Sequence, residues 1–362
     1  MSHPNNKMSP CNLDNQEIEL IVGNSSANFS GVTSTMLQVT SIQRHMINLR
    51  IMGKHFVSDP SMTITFWEVV KMCRRPLSNG KWRIFHARRV DEMIQGVLLK
   101  YIFRAKIKLV FSSAAQRKRS ASTVWLSNRM DAIIAMSNRS AQYLDKPPAK
   151  INLHGVQIDK YTPAENKQKA WQSLGYGGKY GIGILGRVRE QKGVHLFVEA
   201  CIKILPKYPD VNAVVVGAIS PSNQAFVNQL KEKVSEAGLT DRIIFTGELP
   251  FEQIPSIFSA LSLVSALSDN EGFGLTVPEA MSAGAAVLAT QAGAWEDIVR
   301  PGIDGYIVPI KDQQAVIEKI DLLLADMDKL EEMGKAGREH VVKNFKVEDE
   351  AKNLVEFFRS LQ

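Results

Sequence analysis

From residue 180 onward the chain alternates short, mainly apolar runs with helical patterns. The runs are YGIGILG (180–186), NAVVVG (212–217), RIIFTG (242–247), LSLVSAL (261–267), AAVLAT (285–290) and GYIVP (305–309). Helical patterns fall at 192–206, 222–237, 251–259 and 276–283, then near 312–325, 327–343 and 347–360. A strand that is apolar throughout, rather than at every second position, is covered on both faces, as in a parallel sheet flanked by helices. The first half follows this alternation more loosely. EIELIVG (17–23), RIFHA (83–87), KLVFSS (108–113) and AIIAMS (132–137) read as strands, with a helix from about Val32. Between the halves lies KPPAKINLHGVQIDKYTP, a Pro- and Gly-containing passage between domains. The expectation is an α/β chain of two Rossmann-like domains with parallel sheets facing across a cleft, residues 1–155 and 156–345. The last segment, 346–362, is expected to be a helix that packs back on the N-terminal domain.

Charge separates the halves. Residues 1–150 hold 22 Lys/Arg and 9 Asp/Glu, and residues 151–362 hold 22 and 28. A basic half on an acidic one points to an anionic partner for the first: nucleic acid, a membrane surface or a phosphorylated substrate. The basic runs lack the interleaved aromatics of a single-strand binder, which argues against nucleic acid. Cys11, Cys73 and Cys201 are far apart, so neither a disulfide framework nor a zinc site is expected. No apolar run approaches the ~18 residues of a membrane span, and the polar N-terminus does not read as a signal peptide. A cytoplasmic protein touching the membrane surface is expected.

Ligands of open α/β sheets bind beyond the carboxyl ends of the strands, and three segments lie there. In GRVREQKG, Arg187 and Lys192 sit between Gly186 and Gly193, where two cations suit a diphosphate. In EGFGLTVPE, Glu271 follows a strand and Gly272 and Gly274 let the backbone approach a ligand. The helix starting near Thr276 offers free N–H groups to a phosphate, and Glu279 is placed to accept from a ribose diol. After RIIFTG, the main chain at Gly247 and Leu249 could hold a flat base, or form an ordinary turn.

These segments resemble the retaining glycosyltransferases of family 4, which have the two-domain GT-B fold. E-GFGLTVP-E resembles the family's E-x7-E motif, and GRVREQKG its donor loop. INLHGVQIDKYTP, RIIFTGELPFEQIPSIFSAL and AGAAVLATQAGAWEDIVRPGIDGYIVP resemble further family segments in the same order, covering nearly all of 151–345. The resemblance implies that Arg187 and Lys192 hold the donor diphosphate and stabilise the leaving phosphate. It implies that Glu271 meets the sugar, helped by the main chain of Gly272, Phe273 and Gly274. Leu275 and Thr276 continue the donor segment, Glu279 holds the ribose, and Gly31 lets the N-terminal domain approach. It implies hexose transfer from a nucleotide sugar with retained configuration. FHARR, VFSSAAQR and RMDAII resemble mannosyltransferases of lipopolysaccharide core assembly, which implies GDP-mannose as donor and an anionic glycolipid as acceptor.

One family feature is absent. Ala114, in KLVFSSAAQR, stands where many members carry a histidine. His86 and Arg88 are the nearest acceptor-side candidates, and His86 reads equally as a satisfied core histidine. Asp326-Met327-Asp328 imitates the metal motif of the other large glycosyltransferase fold, but its place between late helices makes it a helix surface. Neither metal nor cofactor is expected. Arg74, Arg75, Lys100, Arg104, Lys106, Lys108, Arg117, Lys118 and Arg119 are the expected contacts to an anionic acceptor at a membrane.

Overall fold

The computed structural model describes residues 17–362, so Cys11 lies outside the described residues. Cys73 and Cys201 are buried free thiols. The first sheet has seven parallel strands: β1 (Leu20–Gly23), β2 (Leu49–Met52), β3 (Thr63–Ile64), β4 (Arg83–Ala87), β5 (Ile107–Ser113), β6 (Ala132–Ala135) and β7 (Lys150–Ile151). They are ordered β3-β2-β1-β4-β5-β6-β7. The second has six: β8 (Tyr180–Leu185), β9 (Val211–Val216), β10 (Ile243–Gly247), β11 (Leu261–Ala266), β12 (Ala286–Thr290) and β13 (Gly305–Val308), ordered β10-β9-β8-β11-β12-β13. Both orders reverse direction at the first strand of the domain, which opens a crevice at the carboxyl ends there. In the second sheet, β9, β11 and β12 are buried at every position, as expected of mainly apolar strands covered on both faces, and they carry the polar Asn212, Ser262, Ser265 and Thr290 into the interior with them.

The passage between domains is not wholly a linker. Its Lys150–Ile151 forms the edge strand β7 of the first sheet, pairing with β6. The chain then crosses to the second domain at Val156 and returns beside itself at Lys346. Val156 N–H donates to the Phe345 carbonyl (2.8 Å), and Val347 N–H to the Val156 carbonyl (3.2 Å). A Cβ at Gly155 would lie 2.4 Å from the Lys346 backbone, so glycine lets the two crossings touch. The last helix, Val347–Leu361, lies on the first domain. Arg359 donates to the Met46 carbonyl (2.7 Å), Lys150 donates to the Asn353 carbonyl (3.0 Å), and the buried Phe358 ring sits 5.0 Å from His86. No helix among the described residues is long and apolar enough to cross a membrane.

Candidate active site

Three glycines mark the carboxyl ends of adjacent strands in the second domain. Gly186 (φ 136°), Gly217 (φ 152°) and Gly247 (φ 72°) follow or end β8, β9 and β10. A Cβ on Gly217 would fall 1.8 Å from the Gly186 carbonyl, while those on Gly186 and Gly247 would meet open space. Gly217 therefore brings the loops together, and Gly186 and Gly247 shape a bare backbone floor. Leu249 is half-buried against the core beside that floor. Arg187 is exposed and has no ion pair among the described residues.

Lys192 ends a short turn, Glu190–Lys192, and the following helix begins only at Val194. Gly193 between them adopts φ 68°, and a Cβ there would strike the Leu267 carbonyl at 2.2 Å. This contact, with a hydrogen bond from Asp269 N–H to the Gln191 carbonyl (2.9 Å), presses the cationic loop against the end of β11. The result is a direct ion pair between Lys192 and Glu271, with Ser268 donating to the same Glu271 oxygen (3.0 Å). Two groups 79 residues apart thus form one unit.

The Gly272-Phe273-Gly274 loop is held from several sides. Gly274 adopts φ 85°, its carbonyl accepts from the Trp295 indole N–H (2.8 Å), and a Cβ there would sit 2.4 Å from that nitrogen. Ala294 N–H donates to the Phe273 carbonyl (2.9 Å). From the first domain, buried Gln116 donates to the carbonyls of Gly272 (3.2 Å) and Gly293 (2.6 Å) and accepts from Gly293 N–H (3.1 Å). The Phe273 ring meets the His154 ring edge-on at 4.9 Å, and His154 Nδ1 pairs with Glu350 of the last helix at 2.7 Å. Glu350 also accepts from Gly155 N–H (2.8 Å). Loop, domain crossing and terminal helix are one hydrogen-bonded assembly.

Gly272 faces the first domain, where a cavity of about 610 Å³ opens at the ends of β4 and β5. Ala114 lies opposite Gly272, and His154 contributes the imidazole that lines this space. Five cations line it, Arg88, Arg89, Arg117, Lys118 and Arg119, with no acidic side chain among its walls. Arg89 is neutralised by buried Glu92 at 3.1 Å, which also accepts from the backbone N–H of Arg88 (2.7 Å). Arg88 is left over, and its buried Nη1 has no hydrogen-bond partner. Burial lowers the Arg88 pKa from its ordinary value, against the pull of Glu92 and Glu350. Gly31 opens the helix Gly31–Gln43, whose Val32 and Thr35 line the same cavity, and has open space around its α-carbon.

His86 is not on the cleft. It is fully buried, its Nε2 bonds the Ser112 hydroxyl at 2.7 Å, and burial holds its pKa well below the usual value. Its acceptor-side reading is therefore corrected: it is a core histidine, closed off by Phe358 of the last helix.

Thr276 begins the helix Thr276–Ser282, with Leu275 as its cap residue, and Glu279 stands one turn in. Burial pushes the Glu279 carboxyl up to about 7, although the Tyr161 hydroxyl and the Lys160 ammonium both favour the anion. Asp326 is the N-cap of the helix Met327–Asn344, accepting from Lys329 N–H (3.0 Å). Among the described residues no three His, Cys, Asp or Glu side chains come together as a metal-ligand group.

The family model for glycosyl transferases group 1 matches residues 165–340. The lipopolysaccharide core biosynthesis mannosyltransferase LpcC of Rhizobium leguminosarum bv. viciae is 38% identical over 96% of this chain and 98% of its own. The chain belongs to the group 1 glycosyltransferases. LpsB of Rhizobium meliloti, also a lipopolysaccharide core biosynthesis mannosyltransferase, is 37% identical over 96% of this chain and 99% of its own. Among solved structures, the C-terminal domain of LpcC from Francisella tularensis is 42% identical, covering 53% of this chain and 99% of that one, at a TM-score of 0.52. Anabaena Alr3699/HepE, solved with UDP and glucose, covers 95% of this chain and 100% of its own at a TM-score of 0.75 and 20% identity, and shares the fold. The two facing parallel-sheet domains are thus a GT-B glycosyltransferase.

For this glycosyltransferase, sequence reasoning missed Gly217, Gln116, His154, Tyr161 and Glu350. Gly217 carried a legible signal, a glycine ending an apolar strand beside two others of the same kind. Gln116 and the His154–Glu350 pair carried none, because their partners lie 156 to 196 residues away.

Proposed function

We propose that the enzyme transfers mannose from GDP-mannose, with retained anomeric configuration, to an anionic acceptor of the lipopolysaccharide core at the cytoplasmic face of the membrane. The observation that carries this reading is the Lys192–Glu271 pair beside a glycine loop facing a cavity lined by five cations. The names of the two relatives that match over 96% of the chain, both lipopolysaccharide core biosynthesis mannosyltransferases, support the choice of sugar and of acceptor class. Lys192 and exposed Arg187 take the donor diphosphate, Glu271 and the loop backbone take the hexose, and Glu279 takes the ribose. The bare backbone at Gly247 and Leu249 faces the base. Arg88 and its neighbours take the acceptor.

In the step itself, an acceptor hydroxyl attacks the anomeric carbon from the face that the phosphate leaves. The bond from the anomeric carbon to the phosphate oxygen breaks with its electron pair, and that oxygen receives the hydroxyl proton. The products are the glycoside and the nucleoside diphosphate. Fixed cations where the negative charge grows lower the barrier without reorganising.

The test is to incubate the protein separately with GDP-mannose, UDP-glucose, UDP-galactose and UDP-N-acetylglucosamine, and follow thermal stabilisation and consumption. GDP-mannose is expected to give both. A UDP-sugar giving both instead makes the protein a family member with another donor, consumption without acceptor into an isomeric sugar makes it an epimerase, and binding alone makes it an inactive relative. With Arg187 and Lys192 neutralising the diphosphate, we expect activity to persist in excess EDTA. Loss on chelation, restored by magnesium or manganese, would refute that.

A further inference from the structure

The helix Val90–Val97 and the turn Leu98–Ile102 that continues it bury Glu92, Met93, Gly96 and Leu99. Gly96 allows this close packing: a Cβ there would lie 3.0 Å from both Phe85 and Leu109. The opposite face is apolar as well. Val90, Ile94, Leu98 and Ile102 recur every fourth residue and are exposed, with Tyr101 beside them. In a regular α-helix such a row drifts around the axis. Here the last turn is a π turn, closed by Phe103 N–H on the Leu98 carbonyl (3.1 Å), and its wider winding keeps Ile102 in line.

The row is extended at its far end. Phe103 meets the Trp67 ring at 5.5 Å, and Trp67 and Ile102 are each 67% exposed. Trp125, also exposed, stands on the neighbouring helix Ala121–Ser127, which packs on Val90–Val97. A solvated protein surface seldom gathers so many large apolar side chains in one place without a partner for them. The near end of the row is the cavity, because Val90 is part of its wall.

The charges around the row are cationic and free. Lys71 lies one turn beyond Trp67 on the same helix face, with Arg74 after it; Arg104 follows Ile102, and Lys118 sits at the cavity mouth. None of these four has an ion pair among the described residues. Of the acids nearby, Glu68 is engaged in capping its own helix at Thr65, Asp131 is held by Lys100 at 2.6 Å, and Glu92 is buried, which leaves Asp91.

We infer that the exposed row Val90–Ile94–Leu98–Ile102, with Trp67 and Trp125 at its sides, is a membrane-docking face that inserts into an anionic lipid surface and holds the cavity mouth against it. Apolar side chains rimmed by unpaired Lys and Arg match the acyl boundary and headgroup layer of such a surface together. A purely electrostatic patch would need no exposed isoleucine or tryptophan, and a protein partner would need an acidic rim. The inference rests on the proposed lipid-linked acceptor, and it places that acceptor's headgroup in the cavity while its lipid stays in the bilayer.

The experiment is sedimentation of the full chain with vesicles of phosphatidylglycerol and phosphatidylethanolamine, compared with phosphatidylcholine vesicles. The variants are Ile94→Asp with Ile102→Asp, both at exposed positions. Thermal unfolding and nucleotide-sugar binding serve as controls for the fold. Wild-type protein is expected to bind the phosphatidylglycerol vesicles, with tryptophan emission shifting to the blue. The double variant is expected to lose roughly tenfold or more in binding, as amphipathic insertion requires, at unchanged nucleotide-sugar affinity. Absence of wild-type binding at low salt, or equal binding by the variant, overturns the docking face. A dimer that the double substitution dissociates, without any vesicle effect, makes the surface a protein interface and overturns it as well. A protein that binds vesicles but consumes no GDP-mannose would defeat the proposed donor and leave the docking face standing.

Discussion

In the C-terminal domain the cleft is made of backbone held in place. Gly193, Gly217, Gly274 and Gly293 each sit where a Cβ would lie within 2.4 Å of a neighbouring atom, and three of the four colliding atoms are carbonyl oxygens. Lys192 and Glu271 are already joined. In the N-terminal domain the cleft is made of side chains around a cavity, and Arg88 keeps an unsatisfied buried nitrogen. One side is assembled before its ligand arrives, and the other waits for a ligand to complete it. Preorganisation of that kind serves the side where charge develops during reaction. Unspent cationic capacity serves the side that selects an anionic partner. The domain charges, 22 basic to 9 acidic residues in 1–150 and 22 to 28 in 151–362, follow the same division.

The strongest way to break this comparison is at the preorganised side. Lys192→Ala and Arg187→Ala are each expected to lower turnover by two or more orders of magnitude, the ~3–4 kcal/mol typical of a lost fixed charge at a developing anion. Circular dichroism should remain native, since Arg187 is exposed and the Lys192 pair lies at the surface of the cleft. Near-wild-type rates in both variants would mean that the diphosphate is held elsewhere.

At the waiting side, Arg88→Gln should raise the KM for acceptor by about 10- to 100-fold, the ~1.5–3 kcal/mol of a hydrogen bond to a charged group. Donor affinity should hardly change. A collapse of donor affinity instead would place Arg88 with the nucleotide sugar and dissolve the division between the domains.

How far each side was legible follows from the same contrast. The six strands of the second sheet are mainly apolar runs without a charged residue, and the glycines at the ends of three of them are visible in the sequence. The first sheet hid three of its seven strands. Leu49–Met52 carries Arg50 in its middle, while Thr63–Ile64 and Lys150–Ile151 are two-residue edges shorter than any periodic signal. His86 could not be assigned from its neighbours, because its burial depends on Phe358, which follows 272 positions later. The basic residues were countable but not their engagement. Lys100 is taken by Asp131, and Lys106 and Lys108 lie over the Trp82 ring at 5.6 and 5.7 Å. The exposed apolar row was invisible for a related reason: periodicity shows that a helix has two apolar faces, and only the tertiary structure shows which one is covered.

Gln116 tests the seam between the two sides. Its amide is the polar bridge from the acceptor-side loop to Gly272 and Gly293, and Gln116→Ala leaves the Gly293 N–H and two carbonyls without this partner. The expected cost is about 1–3 kcal/mol. It should appear both as a lower melting temperature and as a turnover loss of roughly tenfold. A variant with wild-type turnover and a lowered melting temperature would make Gln116 a structural strut only.

The smallest effect is also the most specific to the preorganised side. Glu279 has its carboxyl pushed up to about 7 by burial, so near neutral pH it is part acid and part anion. Only the anion accepts from both hydroxyls of a ribose diol. A carboxyl raised above its unfolded value is favoured in its protonated form by the fold. The folded protein therefore loses stability as pH rises from the ordinary glutamate value, about 4.3, to about 7, and the penalty is complete above that. Donor affinity should run the opposite way. With half-ionisation at about 7, the anionic fraction grows about tenfold from pH 6 to pH 8, and affinity for the nucleotide sugar should grow with it. Binding should release protons to solution in the lower part of that range, measurable by calorimetry in buffers of different ionisation enthalpy. Glu279→Gln should flatten the profile, weaken binding at pH 8 and leave acceptor KM unchanged. A profile that keeps its rise through pH 7 in the Gln variant would assign the titration to another group and remove Glu279 from the ribose.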